Sequence, residues 1–74
     1  MSIFATRLRS LRAEYNISMK TLAKHINATD TAVSNWENNI NEPKISYVIS
    51  IAKFFNVSTD YLLGMDEETN TKTQ

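Results

Sequence analysis

Met19-Lys20-Thr21-Leu22-Ala23-Lys24-His25-Ile26-Asn27-Ala28-Thr29-Asp30-Thr31-Ala32-Val33-Ser34-Asn35-Trp36 is the stretch that decides the fold. It reads as two short helices that cross closely through a tight turn. The crossing needs a small residue in the first helix, and Ala23 is there. The turn needs a residue that accepts a left-handed backbone, and Asn27 supplies it. The second helix needs an apolar side to bury, and Val33 provides it, with Trp36 a turn later.

Asn27 opens a triplet, Asn27-Ala28-Thr29, that has two counterparts, Asn16-Ile17-Ser18 and Asn56-Val57-Ser58. Each has a mechanical meaning. The asparagine closes a helix, the next apolar residue packs back on its last turn, and the Ser or Thr caps the following helix. The triplets are also glycosylation sequons. That use needs a secretory signal, and Met1 to Thr6 running into Arg7 and Arg9 does not read as one.

Cut at these marks, the chain predicts five helices. The first spans about residues 3–15, with Phe4, Leu8, Leu11 and Tyr15 at helical spacing. The second, about 19–26, turns Leu22, Ala23 and Ile26 inward; the third, about 30–38, buries Val33 and Trp36. Asn38 to Pro43 is a turn-rich loop. The fourth, about 45–55, carries the stripe Ile45, Val48, Ile49, Ala52 and Phe55. The fifth, about 59–63, has Asp60 at its positive end and stops at Gly64. Residues 1–64 are expected to form one domain, and residues 65–74, polar and rich in Asp, Glu, Thr and Asn, a flexible tail or the start of a linker.

Seventy-four residues make one small domain. Cysteine is absent and His25 is the sole histidine, which excludes a disulfide scaffold and a zinc finger. No apolar run approaches membrane-spanning length, and the expected location is cytoplasmic. No cofactor is implied. An enzyme is not expected either: there is no glycine-rich phosphate loop and no carboxylate pair in an evident cleft. His25 reads as a partly exposed residue of the second helix. The formal net charge is zero, but it is unevenly spread. Residues 1–24 hold five basic side chains against one acidic, and residues 25–74 three against seven, giving +4 and −4. Such a polarised molecule can present a basic face.

Over about residues 5–64 the chain resembles the phage repressor/Cro-like helix-turn-helix family. The matching stretches are Arg7-Leu8-Arg9-Ser10-Leu11-Arg12, Leu22-Ala23, Val33-Ser34-Asn35-Trp36-Glu37, Glu42-Pro43, Ile51-Ala52-Lys53 and Val57-Ser58-Thr59-Asp60-Tyr61-Leu62-Leu63-Gly64. The resemblance implies an all-α, lambda-repressor-like bundle of five helices whose third helix enters the major groove. It also implies a transcriptional regulator, commonly a repressor, acting as a homodimer on a palindromic double-stranded operator. Further partners would be a protein anti-repressor or a C-terminal domain. By the same resemblance, Arg12 should pair with Glu37 and fix the third helix against the first.

With Val33 and Trp36 inward, Asp30, Thr31, Ser34 and Asn35 point outward or sideways, and they fall on the positions that read bases in the family. Their chemistry fits: Asn35 can bond adenine through two contacts, Thr31 can set its methyl on thymine, and Asp30 can accept from cytosine N4. Phosphate contacts are expected from Ser18, with the free N–H groups that follow it, and from Lys20, Asn38, Asn41 and Lys44.

Three departures from the family pattern bear on affinity. Met19 stands where a glutamine is usual, Asp30 brings negative charge toward phosphates, and Lys44 replaces a capping residue, which leaves Ser46, one residue later, as an alternative start for the fourth helix. The same features suit a rival reading, a protein-interaction module such as an antitoxin or adaptor. Tyr61, Leu62, Leu63 and Met65 place apolar groups near the chain end; some close the bundle and the rest are available for a two-fold contact.

Overall fold

The structure is a computed structural model that describes residues 2–66. These form five helices and no strand: α1 (Ile3–Tyr15), α2 (Met19–His25), α3 (Asp30–Glu37), α4 (Ile45–Phe55) and α5 (Thr59–Leu63). The all-α, five-helix architecture is the one the sequence predicts.

Each of the three triplets works as a hinge between helices. Asn16, Asn27 and Asn56 have φ of 57°, 60° and 58°, the left-handed region. The next residue donates its N–H back to the preceding helix: Ile17 to Arg12 O, Ala28 to Ala23 O and Val57 to Ala52 O, at 2.8–2.9 Å. Ile17, Ala28 and Val57 then pack against the core. Ser18, Thr29 and Ser58 cap the following helices by accepting from the N–H of Thr21, Ala32 and Tyr61. Two more helix ends close the same way. Asn39 (φ 61°) lets Ile40 donate to Asn35 O, and Gly64 (φ 76°) lets Met65 donate to Asp60 O. After Asn39 the residue in the capping place is Asn41, and no helix follows directly.

The core is built from Phe4, Leu8 and Leu11 of α1, Leu22 and Ala23 of α2, Val33 and Trp36 of α3, Val48, Ile51, Ala52 and Phe55 of α4, and Leu62 of α5, with Ile26 from the α2–α3 turn. Most of the expected inward residues are there, but α4 is rotated from the expected stripe. Ile51 is fully buried, whereas Ile45 is 78% and Ile49 42% exposed. Tyr15 and Leu63 also lie on the surface, and Ala5 is buried instead. The start of α4 at Ile45 is the one expected from 45–55, and not the later alternative at Ser46; Lys44 stands in the capping place and no side chain caps the helix there.

Residues 65 and 66, read from the sequence as the start of the tail, are tied to the bundle. Arg7 lies over the Tyr61 ring at 4.3 Å and donates to Tyr61 O at 2.6 Å and to the Asp66 carboxylate at 3.0 Å. The remaining tail residues, 67–74, lie outside the described residues.

Candidate nucleic-acid interface

The cap on Ser18 and the turn at Asn27 bring the first turn of α2 beside that of α3. Ser18, Met19, Lys20, Asp30, Thr31 and Ser34 line one open groove there. Thr31 and Asp30 are exposed and Ser34 is half-buried. Asn35 follows Thr31 by four positions, so the two share one face of α3, away from buried Val33 and Trp36. Asn35 is half-buried and does not line the groove. No hydrogen bond or ion pair within the described residues engages the side chains of Asp30, Thr31 or Asn35, so their polar atoms are open to a ligand.

Three of the expected contact residues are already engaged. The Ser18 hydroxyl accepts from Thr21 N and donates to Thr21 Oγ1, both at 3.0 Å. Asn38 Nδ2 donates to Ser34 O at 2.9 Å and to Ser34 Oγ at 3.2 Å, which ties these two expected contact residues to each other. Lys20, Asn41 and Lys44 are exposed, Lys20 at the groove and the other two in the α3–α4 connection.

The charge of residues 1–24 goes largely into the scaffold. Arg7 and Arg12 are ion-paired, and Arg9 donates to the backbone of Glu37. Lys20 and Lys24 are the cations of that segment left without a partner among the described residues. The basic face is therefore smaller than the charge asymmetry suggested.

Arg12 holds Glu37 through two parallel contacts, Nε to Oε2 at 2.5 Å and Nη2 to Oε1 at 2.8 Å, and its Nη1 donates to Ile17 O at 2.9 Å. Glu37 is 2% exposed. Its hydrogen bond raises the Arg12 guanidinium above the ordinary arginine value; burial works against this and the carboxylate charge adds to it. One ion pair thus fastens the end of α3 to both α1 and the α1–α2 turn.

Sequence reasoning missed three further supports. Trp36 packs on Tyr47 of α4 with ring centroids 5.2 Å apart, Arg9 reaches Glu37 O at 3.1 Å, and Ser2 N donates to Asn39 Oδ1 at 3.0 Å. Only Arg9 carried a signal: it stands three positions before Arg12, on the same face of α1. His25 is exposed, with its ring stacked 5.1 Å from that of Phe54. Among the described residues no cluster of His, Cys, Asp or Glu is arranged to hold a metal, and no helix is long and apolar enough to cross a membrane.

Two closely crossed short helices, the second pinned at its far end and open along its outer face, define a helix-turn-helix DNA-binding domain. The sequence profile described as "Helix-turn-helix" matches residues 8–62, and the chain belongs to that family, in its phage repressor/Cro-like branch. This is a family of DNA-binding transcriptional regulators and not of enzymes. Over 61 residues the chain is 34% identical to the HTH-type transcriptional regulator ImmR of Bacillus subtilis, covering 82% of this chain and 48% of that protein. Over 64 residues it is 34% identical to the HTH-type transcriptional activator BcrR of Enterococcus faecalis, covering 86% and 31%. The crystal structure of the P22 c2 repressor in complex with synthetic operator 9T superposes with a TM-score of 0.81 at 29% identity, covering 89% of this chain and all of that one. The chain spans about half the length of ImmR and less than a third of BcrR.

Proposed function

We propose that this chain is the sequence-specific, double-stranded-DNA-binding part of a transcriptional repressor of phage or mobile-element type. It binds a palindromic operator as a dimer, with α3 in the major groove of each half-site. The observation that carries this reading is the pairing of an outer α3 face, Asp30, Thr31, Ser34 and Asn35, with a rigid mount at Glu37. A helix that must match a fixed pattern of base edges needs both. The likeness to the P22 c2 repressor, whose structure was solved on an operator, supports the same docking.

In this reading Asn35 bonds adenine, the Thr31 methyl meets thymine, Asp30 accepts from cytosine N4, and Ser34 serves either strand. Lys20, Asn41 and Lys44 hold phosphates, aided by the backbone after Ser18 and the free Asn38 oxygen.

The palindrome requires two copies with their α3 helices roughly 34 Å apart. The face that suits this is the groove lined by Phe4, Pro43, Ile45, Val48, Ile49 and Leu63, where the outward rotation of α4 leaves two isoleucines in solvent. Residues 67–74 contain no apolar side chain to fill it. A second copy, offering the same apolar face across a two-fold axis, can.

The test is selection of bound sequences from a random DNA pool at low salt, with Asn35→Ala run in parallel. Enrichment of a palindrome by the wild type, lost in Asn35→Ala, supports the proposal. Failure to retain any DNA sinks it and favours a protein-binding module.

A further inference from the structure

We infer that Arg9 caps the recognition helix from a different helix, and so sets the pose in which Thr31 and Asn35 are offered to DNA. The inference rests on the reading that α3 enters the groove. The carbonyls at the end of α3 have no following turn of helix to satisfy them. Ser34 O accepts from Asn38 N, Asn35 O from Ile40 N, and Trp36 O from Asn39 N. Glu37 O is left over, because the chain turns away at Asn39. The donor it finds is Arg9 Nη2, from the middle of α1, at 3.1 Å.

The electrostatics point the same way. The carbonyl end of a helix is its negative end and favours a cation. The last turn of α3 has no basic residue of its own. Arg9 supplies one at the backbone, while Arg12, one turn further along α1, takes the side chain of the same Glu37. Ser2 adds a third contact through Asn39. The end of α3 is therefore splinted along α1 by polar contacts, and Arg9 is a positioning residue whose removal frees that end to tilt.

Two variants and two readouts test this in the whole chain. Arg9→Gln removes the charge, and Arg9→Lys keeps a charged donor. Amide hydrogen exchange of the free protein should speed up at Asn38, Asn39 and Ile40 in Arg9→Gln and stay near wild type in Arg9→Lys. On DNA, affinity for the palindrome selected by the wild type should fall about fivefold in Arg9→Gln, the size expected for one partly exposed charge-assisted hydrogen bond. Affinity for random DNA and its salt slope should not change.

Equal loss on both DNAs with a slope smaller by about 0.9 would make Arg9 a phosphate ligand and overturn the inference. So would unchanged exchange at the end of α3, or a lower melting temperature with the specific-to-random ratio intact. If the wild type selects no sequence, the DNA role fails together with the proposed function, and the exchange data still decide whether Arg9 is the cap.

Discussion

Arg12 and Glu37, on α1 and α3, meet through two parallel charged hydrogen bonds at 2.5 and 2.8 Å, with the carboxylate almost wholly out of water. Desolvation offsets much of what such a pair gains in attraction, so its value lies less in net stability than in fixing two helices at one angle. The consequence is asymmetric. Glu37→Ala leaves the guanidinium without its carboxylate and should cost about 3 kcal/mol in a urea titration. Replacing both residues with apolar side chains of similar volume should cost far less, yet weaken operator binding as much as the single change. Equal stability loss in the two variants would contradict this.

The same pair sets a pH expectation. The folded-state value of Arg12 is raised, so its stabilisation is complete below the ordinary arginine range. It is lost only as pH rises through the raised folded value. Around neutral pH, Glu37→Gln and wild type should therefore differ by a constant offset as far as Arg12 is concerned. A difference that grows from neutral to mildly alkaline pH, followed by denaturant titration, would contradict it.

Few uncommitted cations flank α3, and salt dependence should show it. Lys20→Ala and Lys44→Ala should each lower the slope of log K against log salt by about 0.9 per copy bound, while weakening palindrome and random DNA alike. Thr31→Ser and Asn35→Ala should leave the slope alone and act at single base positions, Asn35→Ala costing about 1–3 kcal/mol and Thr31→Ser about 0.8 kcal/mol, the size of one buried methyl. Fluorescence anisotropy at several salt concentrations separates the two classes.

Ile45 contributes little to the core, being 78% exposed on α4. Ile45→Glu should leave the melting temperature within a degree or two, roughly the scale of a neutral surface change. It should abolish any two-to-one complex on the operator in a gel-shift titration. A two-to-one complex that survives would place the dimer contact elsewhere.

Gly64 closes α5 with φ of 76°, and a Cβ built there would lie 2.7 Å from Ile3 Cδ1 and 2.8 Å from Ile3 Cγ2. Gly64→Ala therefore meets backbone strain and a whole side chain that must move, a cost of about 1–2 kcal/mol. Pairing it with Ile3→Ala should recover part of that loss in thermal melts, since the two shortest contacts go while the backbone strain and a 3.1 Å contact to the residue 3 Cβ remain.

How the chain reads depends on where its signals are local. The hinges at Asn16, Asn27 and Asn56 are written in three adjacent residues each, so the α1–α2, α2–α3 and α4–α5 breaks could be read directly, whereas the left-handed Asn39 that closes α3 stands in no such triplet. The stripe of α4 could not. Ile45, Val48, Ile49, Ile51, Phe54 and Phe55 put apolar groups on nearly every side, so periodicity leaves the buried face open and packing chooses Ile51 over Ile45 and Ile49. Charge was misleading for a similar reason. A count cannot tell an arginine that faces solvent from Arg7 or Arg12, whose partners stand 59 and 25 positions away. At the candidate interface, Thr31 and Asn35 follow from the burial of Val33 and Trp36, whereas the tie of Asn38 to Ser34 and the reach of Arg9 to a carbonyl leave no mark on the pattern of residue types.

The measurement that bears most directly on the account is chemical-shift mapping of the isotope-labelled chain titrated with its selected operator. The largest changes are expected at Lys20, at Asp30 through Asn35 and at Asn41 through Lys44, with smaller changes on the outer faces of α4 and α5 as two copies meet. Unmoved Thr31 and Asn35 resonances in a saturated complex would contradict it.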